Sequence, residues 1–381
     1  MTRRILCTAV AGVLFLTNRP LSAEETKIGT RDWMYGGYAD LAYILNFNFP
    51  DNHRWRSKET TPRTNEPALN MFRLYVEKEP RKESLWGMEL SAQAGYDTDA
   101  LVPDEIPGRE RPIPGADVLR HISRANISYM APVGTGLILT AGLMKGYINY
   151  ESFYAKDNFN YTRAYLTDYN PNFILGAGGR YGFKNAGVGV YILNGFNYLS
   201  HPNDLPSYGV ELDWRFTKRM TFYQNLYYGP DQRETALKFW RGFSDSTVEW
   251  RGDDVTIAAS YDIGTEKASE LPGNPQTFWM SGAVFTRWTI QGPWSLAFRP
   301  EFFWDRYARL TDARQLLWAV TGTVEYRRHF GYRLSVLRLE YRYDRSTGLE
   351  GGFFRGDVPP MPRLVPDQQL VLLSWILAFD H

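Results

Sequence analysis

The sequence predicts an all-β fold, a transmembrane antiparallel up-and-down β-barrel of about sixteen strands, and three observations predict it. Segment after segment alternates apolar and polar residues with a period of two. The connections between these segments alternate between tight turns and long polar loops. The chain opens with the three-part layout of a secretory signal peptide.

The leader comes first. "MTRRILCTAVAGVLFLTNRPLSAEE" places Arg3 and Arg4 before an apolar run from Ile5 to Leu16, followed by polar residues and "LSA". That run is shorter than the ~20 residues a spanning helix needs, so a cleaved leader is expected, with cleavage after Ala23. Of the 381 residues, 23 are then lost and 358 remain. The only cysteine, Cys7, leaves with the leader, so no disulfide framework and no cysteine metal site is expected.

The strands follow in order. In "SYGVELDWRF", Tyr208, Val210, Leu212, Trp214 and Phe216 share one side, and Gly209, Glu211, Asp213 and Arg215 the other. In "SVLRLEYRYD", Leu337, Leu339, Tyr341 and Tyr343 oppose Arg338, Glu340, Arg342 and Asp344. A period of two means strands with one apolar and one polar face. The same reading places strands at 37 to 48, 68 to 78, 84 to 95, 121 to 130, 136 to 146, 173 to 182, 187 to 196 and 207 to 216. The second half reads 219 to 229, 246 to 250, 254 to 263, 277 to 290, 294 to 305, 315 to 327, 333 to 344 and 369 to 379. Fourteen or twelve strands stay open, and the count can shift by two either way, because 246 to 250 is short and "NYESFYAKDNFNYTRAYLTDYNP" leaves room for a further pair.

Alternation alone fits a soluble sandwich as well as a barrel. Loop lengths separate the two. After even-numbered strands come "EPRKE", "APVGT", "FKNA", "TK", "RGD", "QGP" and "RRHFG"; most of the other connections are longer, polar and rich in Gly and Pro. Placing the long loops at one end is the plan of an outer-membrane barrel. A single domain over 24 to 381 is expected, with long external loops near 49 to 67, 96 to 120, 147 to 172, 230 to 245 and 345 to 368.

Composition bounds the function. Without Arg3, Arg4 and Arg19 the 43 basic residues become 40 against 42 acidic, so nothing points to nucleic acid. No uninterrupted apolar run approaches the length of a spanning helix, while 25 Tyr and 12 Trp suit an interface with lipid. The five histidines have no metal-ligand spacing, and no G-x-S-x-G elbow occurs. No catalytic residue, metal or cofactor is therefore expected, and the chain is not read as an enzyme. "GAGGRYGF" at 176 to 183 misses the dinucleotide-loop spacing and reads as glycines within a barrel wall.

About sixteen strands enclose an aqueous channel. The lumen-facing candidates are Arg73, Arg124, Arg215, Arg299, Arg327, Arg338 and Arg342, opposed by Glu89, Glu211, Asp213, Glu301, Glu325 and Glu340. They are either selectivity charges setting a transverse field or wall residues that satisfy one another. Segment 147 to 172, aromatic and rich in Asn, is the first candidate for a loop folded into the lumen, with 97 to 120 close behind.

The chain resembles the OmpL-like β-barrel porins of Gram-negative bacteria. The resemblance rests on "GGYADLAYILNFNFP", "LNMFRLYVEKEP", "YMAPVGTGLILTAGLMKGYINYES", "NFNYTRAYLTDYNPNFILGAGGRYGF", "YILNGFN" and the terminal strand. It implies a channel in the cell outer membrane, reached through the periplasm, and carries no defined functional residues. Passive diffusion of small polar solutes is the first expectation. A closed or plugged barrel with an adhesive, structural or export role is the alternative, and an outer-membrane esterase or lipase, with His121 and Ser123 as scattered candidates, the third. Expected partners are outer-membrane lipid, the barrel-assembly machinery and small polar solutes, with a homotrimer as the candidate assembly by fold analogy.

The last strand raises a separate expectation. Val371, Leu373, Trp375, Leu377 and Phe379 face lipid, but Leu370, Leu372 and Ile376 point inward where polar residues belong. Their face must be covered, by an inward loop or by the segment before Tyr38.

Overall fold

The computed structural model describes residues 33–101, 119–196, 205–232, 237–356 and 363–381. The expected leader at 1–23 and much of the expected loop at 96–120 lie outside them. Sixteen antiparallel strands close into one barrel. In chain order these are β1 Trp33–Asn46, β2 Pro67–Lys78, β3 Trp86–Ala94, β4 Ile122–Ala131, β5 Leu137–Lys145, β6 Phe173–Gly182, β7 Ala186–Leu193 and β8 Ser207–Arg215. There follow β9 Met220–Gly229, β10 Arg241–Arg251, β11 Val255–Lys267, β12 Gln276–Gln291, β13 Trp294–Asp305, β14 Gln315–Phe330 and β15 Arg333–Thr347. A small hairpin, β16 Phe353–Arg355 and β17 Arg363–Val365, sits in the last loop before β18 Asp367–Asp380.

Each barrel strand pairs with the next barrel strand along the chain, β15 with β18 past the hairpin, and β18 returns to β1 with Leu41 opposite Trp375 and Ile44 opposite Leu372. Closure removes the sheet edges, so no backbone group of the wall is left facing hydrocarbon. The ladder extends to the last residue, where the His381 N–H donates to the Tyr35 carbonyl at 2.9 Å and the Tyr35 N–H donates to the His381 carbonyl at 3.1 Å.

The count of sixteen and the alternation of connections are as the sequence predicts. At one end the links are short, 292–293 and 331–332 being two residues each. The turn between β14 and β15 uses Gly331 at φ 63°, a conformation that suits the twist of a two-residue hairpin and that other residues adopt with strain. At the other end lie 47–66, 95–121, 146–172 and 348–366.

One expectation needs correction. The strand placed at 246 to 250 begins at Arg241, so the loop expected at 230 to 245 ends at 240. Its first half hides from a period-two reading because Phe243 turns inward, packing against Phe196 at 5.4 Å and Trp279 at 6.5 Å between ring centres. Gly242 and Ser244 alternate with it on the other face. The segment after β5 contains no further strand pair; its only regular structure is a 3-10 turn and the short helix Tyr165–Asp168.

The outer face carries the expected apolar residues, among them Trp214, Trp294, Trp318, Tyr341, Leu373 and Trp375, all exposed on this chain. The interior is far from an empty tube. Segment 146–172 runs through the lumen and nearly all of it is buried, with Tyr161, Arg163 and Tyr165 fully enclosed. Its aromatic rings pack on the wall: Tyr150 on Phe285 at 5.1 Å, Tyr169 on Phe303 at 5.0 Å, and Tyr154 on Tyr38 at 5.6 Å.

That packing answers the question set by the last strand. Leu370, Leu372 and Ile376 join Tyr38, Ile44, Met71, Phe153, Tyr154 and Tyr161 in one buried cluster, capped by Trp55 from the first loop. Of the two expected covers, the inward loop is observed, and most of the segment before Tyr38 lies outside the described residues.

Candidate functional site

The lumen divides into a sealed side and an open side. On the sealed side, charged residues of β13, β14 and β15 hold the inward loop by its backbone. Arg299 donates to Glu151 at 2.8 Å and to the Thr162 carbonyl at 2.5 Å. Glu301 accepts from the Tyr165 N–H at 2.6 Å, and Glu340 from the Tyr161 N–H at 2.6 Å. Arg338 donates to the carbonyls of Ala155 at 2.7 Å and Asn158 at 2.5 Å. Arg342 pairs with Glu301 at 2.9 Å and Asp344 at 2.8 Å. Buried charges survive only when paired and hydrogen-bonded, and here the loop backbone supplies many of the partners.

Two further ion pairs pin the loop to its neighbours. Arg163 donates to Asp97 at 2.5 Å, and Lys58 bonds to Asp168 and to the Arg163 carbonyl at 2.8 Å. Burial pushes the Asp97 carboxyl above its ordinary range, against the pull of Arg163, and pushes the Lys58 ammonium below its own, against the pull of Asp168.

On the open side, residues of β6, β8, β9 and β10 and the start of the loop line a small, partly open cavity. Its charged and polar lining includes Arg180, Glu211, Asp213, Asn225, Asp245 and, from the loop, Asn149. Phenol rings of Tyr147, Tyr150 and Tyr223 complete it. Arg180 on β6 reaches across β7 to two carboxylates on β8: its Nε donates to Glu211 Oε1 at 2.6 Å, and its Nη2 to Asp213. It can do so because β7 presents glycine there. A Cβ on Gly189 would stand 2.6 Å from Glu211 Cγ, and one on Gly187 would meet Asp213 and Arg180. The same economy recurs nearby, where Tyr147 lies over Gly209 and stacks on Tyr191 with ring centres 4.8 Å apart. Glycines thin the wall just where side chains must lie flat beside the cavity.

The thirteen candidates do not share one environment. Arg299, Glu301, Glu325, Arg338, Glu340 and Arg342 are buried beneath or beside the loop, with Glu325 held by Arg287, Arg327 and Arg338. Arg73, Glu89 and Arg124 form a second group on β2 to β4, where Arg73 and Arg124 lie 3.3 and 3.6 Å from Glu89. Only Glu211 and Asp213 of the thirteen line the cavity, with Arg215 and Arg327 part-exposed nearer the turns. Arg180, Asn225, Asp245 and Asn149 also line the cavity and are not among the thirteen. As the single charge of "FILGAGGRYG", set among glycines that erase any period, Arg180 was still findable as the one side chain that must be accommodated there.

The scattered pair His121 and Ser123 is not brought together: the His121 ring faces the Gln93 carbonyl at 3.0 Å, and the Ser123 hydroxyl meets Ser91. Among the described residues no cluster of His, Cys, Asp and Glu is arranged to hold a metal ion.

A family model described as "Putative beta-barrel porin-2, OmpL-like" matches residues 34–379. No curated protein matches the sequence. Among solved structures the chain is similar to the trimer form of OmpT, an outer membrane protein of Vibrio cholerae, at 10% identity and TM-score 0.55, covering 92% of this chain and 100% of that one. It is also similar to an anion-selective porin from Comamonas acidovorans, at 9% identity and TM-score 0.54 over 91% and 99% of the two chains. OmpF of Salmonella typhi, in complex with daunomycin, gives 10% identity and TM-score 0.54 over 91% and 97%. Likeness at such identity is a likeness of fold.

Proposed function

Because this chain belongs to the OmpL-like β-barrel porin family and is a porin-like channel of the outer membrane, we propose that small polar solutes cross it by diffusing between the inward loop and the wall of β6 to β10. One observation carries this route: the loop is sealed to β13, β14 and β15 along its Glu151 to Tyr165 side, but its Tyr147 to Tyr150 side faces the open cavity. A solute moving there meets hydroxyl, amide and charged groups that exchange for its hydration shell, as passage through a polar constriction requires. The channel works without a reaction step, and its long loops face outward from the cell. A homotrimer belongs to the same reading, since one solved form of the Vibrio cholerae relative is a trimer.

The test is electrical. Purified protein in a planar bilayer should give stepwise conductance, and Tyr223→Trp, which adds bulk to the cavity lining, should lower each step. A second reading, a plugged barrel whose loops do the work, is favoured by the depth at which the loop is buried. A barrel that folds, as shown by a gel band that shifts on boiling, yet stays silent in the bilayer would favour that reading instead.

A further inference from the structure

The passage has a sign. Following the hydrogen-bond register across the wall, Arg180 stands opposite Gly189, Gly189 opposite Glu211, Glu211 opposite Asn225, Asn225 opposite Asp245, and Asp245 opposite Asp262. Asp213 sits one rung nearer the turns, opposite Tyr223. At these two rungs the arc from β6 to β11 therefore carries four carboxyl groups and one guanidinium. Even with Asp245 and Asp262 counted as a single charge, because like charges directly opposite one another disfavour full ionisation, the carboxylates outnumber Arg180. Adding Arg215, Glu249 and Arg251, which lie further toward the turns, leaves these rungs acidic.

The loop does not neutralise it. The residues it offers to the cavity are Tyr147, Asn149 and Tyr150, all uncharged. Its own ionised groups are engaged elsewhere: Glu151 with Arg299, Arg163 with Asp97, Asp168 with Lys58, and Lys156 with Asp157. A narrow space with low-dielectric walls focuses the field of the charges lining it.

We infer that this passage prefers cations, inorganic or small organic amines, over anions, with Glu211 and Asp213 setting the preference and Arg180 as the counter-charge that tempers it. The inference rests on the route proposed above. Glu211 and Asp213 qualify because both border the cavity, on the acidic arc, and Arg180 bridges them. The fold offers no guidance on sign, since a barrel of similar shape belongs to an anion-selective porin.

The experiment is the reversal potential of the full-length protein in planar bilayers under a potassium chloride gradient. The expected wild-type sign is that of potassium permeating several-fold better than chloride. The preference should be stronger near ~0.1 M salt, where the screening length is about 10 Å, than near ~1 M, where it is about 3 Å. The double substitution Glu211→Gln with Asp213→Asn should move the potential several-fold toward zero or past it. Arg180→Gln should move it the other way, so the assignment stays testable if one variant fails to fold. A conducting wild type with zero or chloride-signed reversal, or a double variant with the wild-type potential, overturns the inference and leaves the pore standing. A folded protein that never conducts overturns both.

Discussion

Glu340 on β15 accepts the backbone N–H of Tyr161 at 2.6 Å, so a strand of the wall holds the middle of the inward loop by its main chain. The same carboxylate accepts the Thr162 N–H at 3.1 Å, the Thr162 hydroxyl at 2.5 Å and the Thr323 hydroxyl at 2.7 Å. Four donors converge on one buried side chain. The loop is thus fixed through polar groups that the wall supplies, and its aromatic packing adds to this.

Glu340→Leu should therefore loosen the loop without opening the barrel. Each buried donor left without an acceptor costs about 1–3 kcal/mol, and Tyr161, Thr162 and Thr323 all lose theirs. The wall itself depends on backbone pairing between β14, β15 and β18, which the substitution leaves alone. Single-channel records should show flickering and a larger mean step, while the band that shifts on boiling persists. Quiet records identical to wild type would show that aromatic packing alone holds the loop.

Gly189→Leu should narrow the passage from the wall side. The first added carbon would stand 2.6 Å from Glu211 Cγ, and the rest of the side chain must go into the cavity or push Glu211 there. Val190, the neighbour exposed to lipid, offers a control, because Val190→Leu changes bulk on the outer face only. The expected result is a fall in unitary conductance for Gly189→Leu and none for Val190→Leu.

What the sequence discloses and what it withholds follow from the range of the interactions. Strand positions, the closed count and the two faces are legible because a period of two is a local property, written for instance in Tyr208 to Phe216. That Leu372 and Ile376 must be covered is legible for the same reason, as an exception to the pattern. The division of the thirteen lumen candidates is not. Arg299 and Glu211 have the same alternation, yet one lies under the loop and the other beside the cavity. The difference depends on where residues 146–172 come to rest, and that is settled by contacts with strands more than a hundred residues away. Arg180 was hidden by the glycines of its own strand, which remove the signal, whereas those of β7 let it cross.

Asp97 and Arg163 should respond unequally to mutation and, between them, create a pH dependence. Breaking a buried pair costs about 3–5 kcal/mol because it leaves a charge uncompensated. Asp97→Leu strands a guanidinium that cannot lose its proton. Arg163→Met strands a carboxyl that burial already pushes upward, and that can take one up. In Arg163→Met the folded state then binds a proton more tightly than the unfolded chain. Its stability should rise as pH falls from the raised folded value toward the ordinary carboxylate range, and level off below that. Denaturant unfolding in detergent, followed by tryptophan fluorescence across pH, should show this trend in Arg163→Met and not in Asp97→Leu.

Leu372 and Leu373 provide the sharpest comparison between the two faces of one strand. Leu372 is 2% exposed, packed under Trp55 and the inward loop, whereas Leu373 is 60% exposed on the lipid side. Truncating Leu372 to alanine leaves a hole that protein atoms cannot refill, at a cost of about 2–5 kcal/mol. Truncating Leu373 leaves a dent that acyl chains fill, so little packing is lost. The two substitutions remove the same atoms one residue apart, and backbone pairing with β1 and β15 is the same in both. Leu372→Ala should lower the denaturant midpoint clearly, and Leu373→Ala hardly at all. Equal midpoints would mean that the inner face of β18 is not sealed by the loop, and the route along the opposite wall would then lose its reason for being the open one.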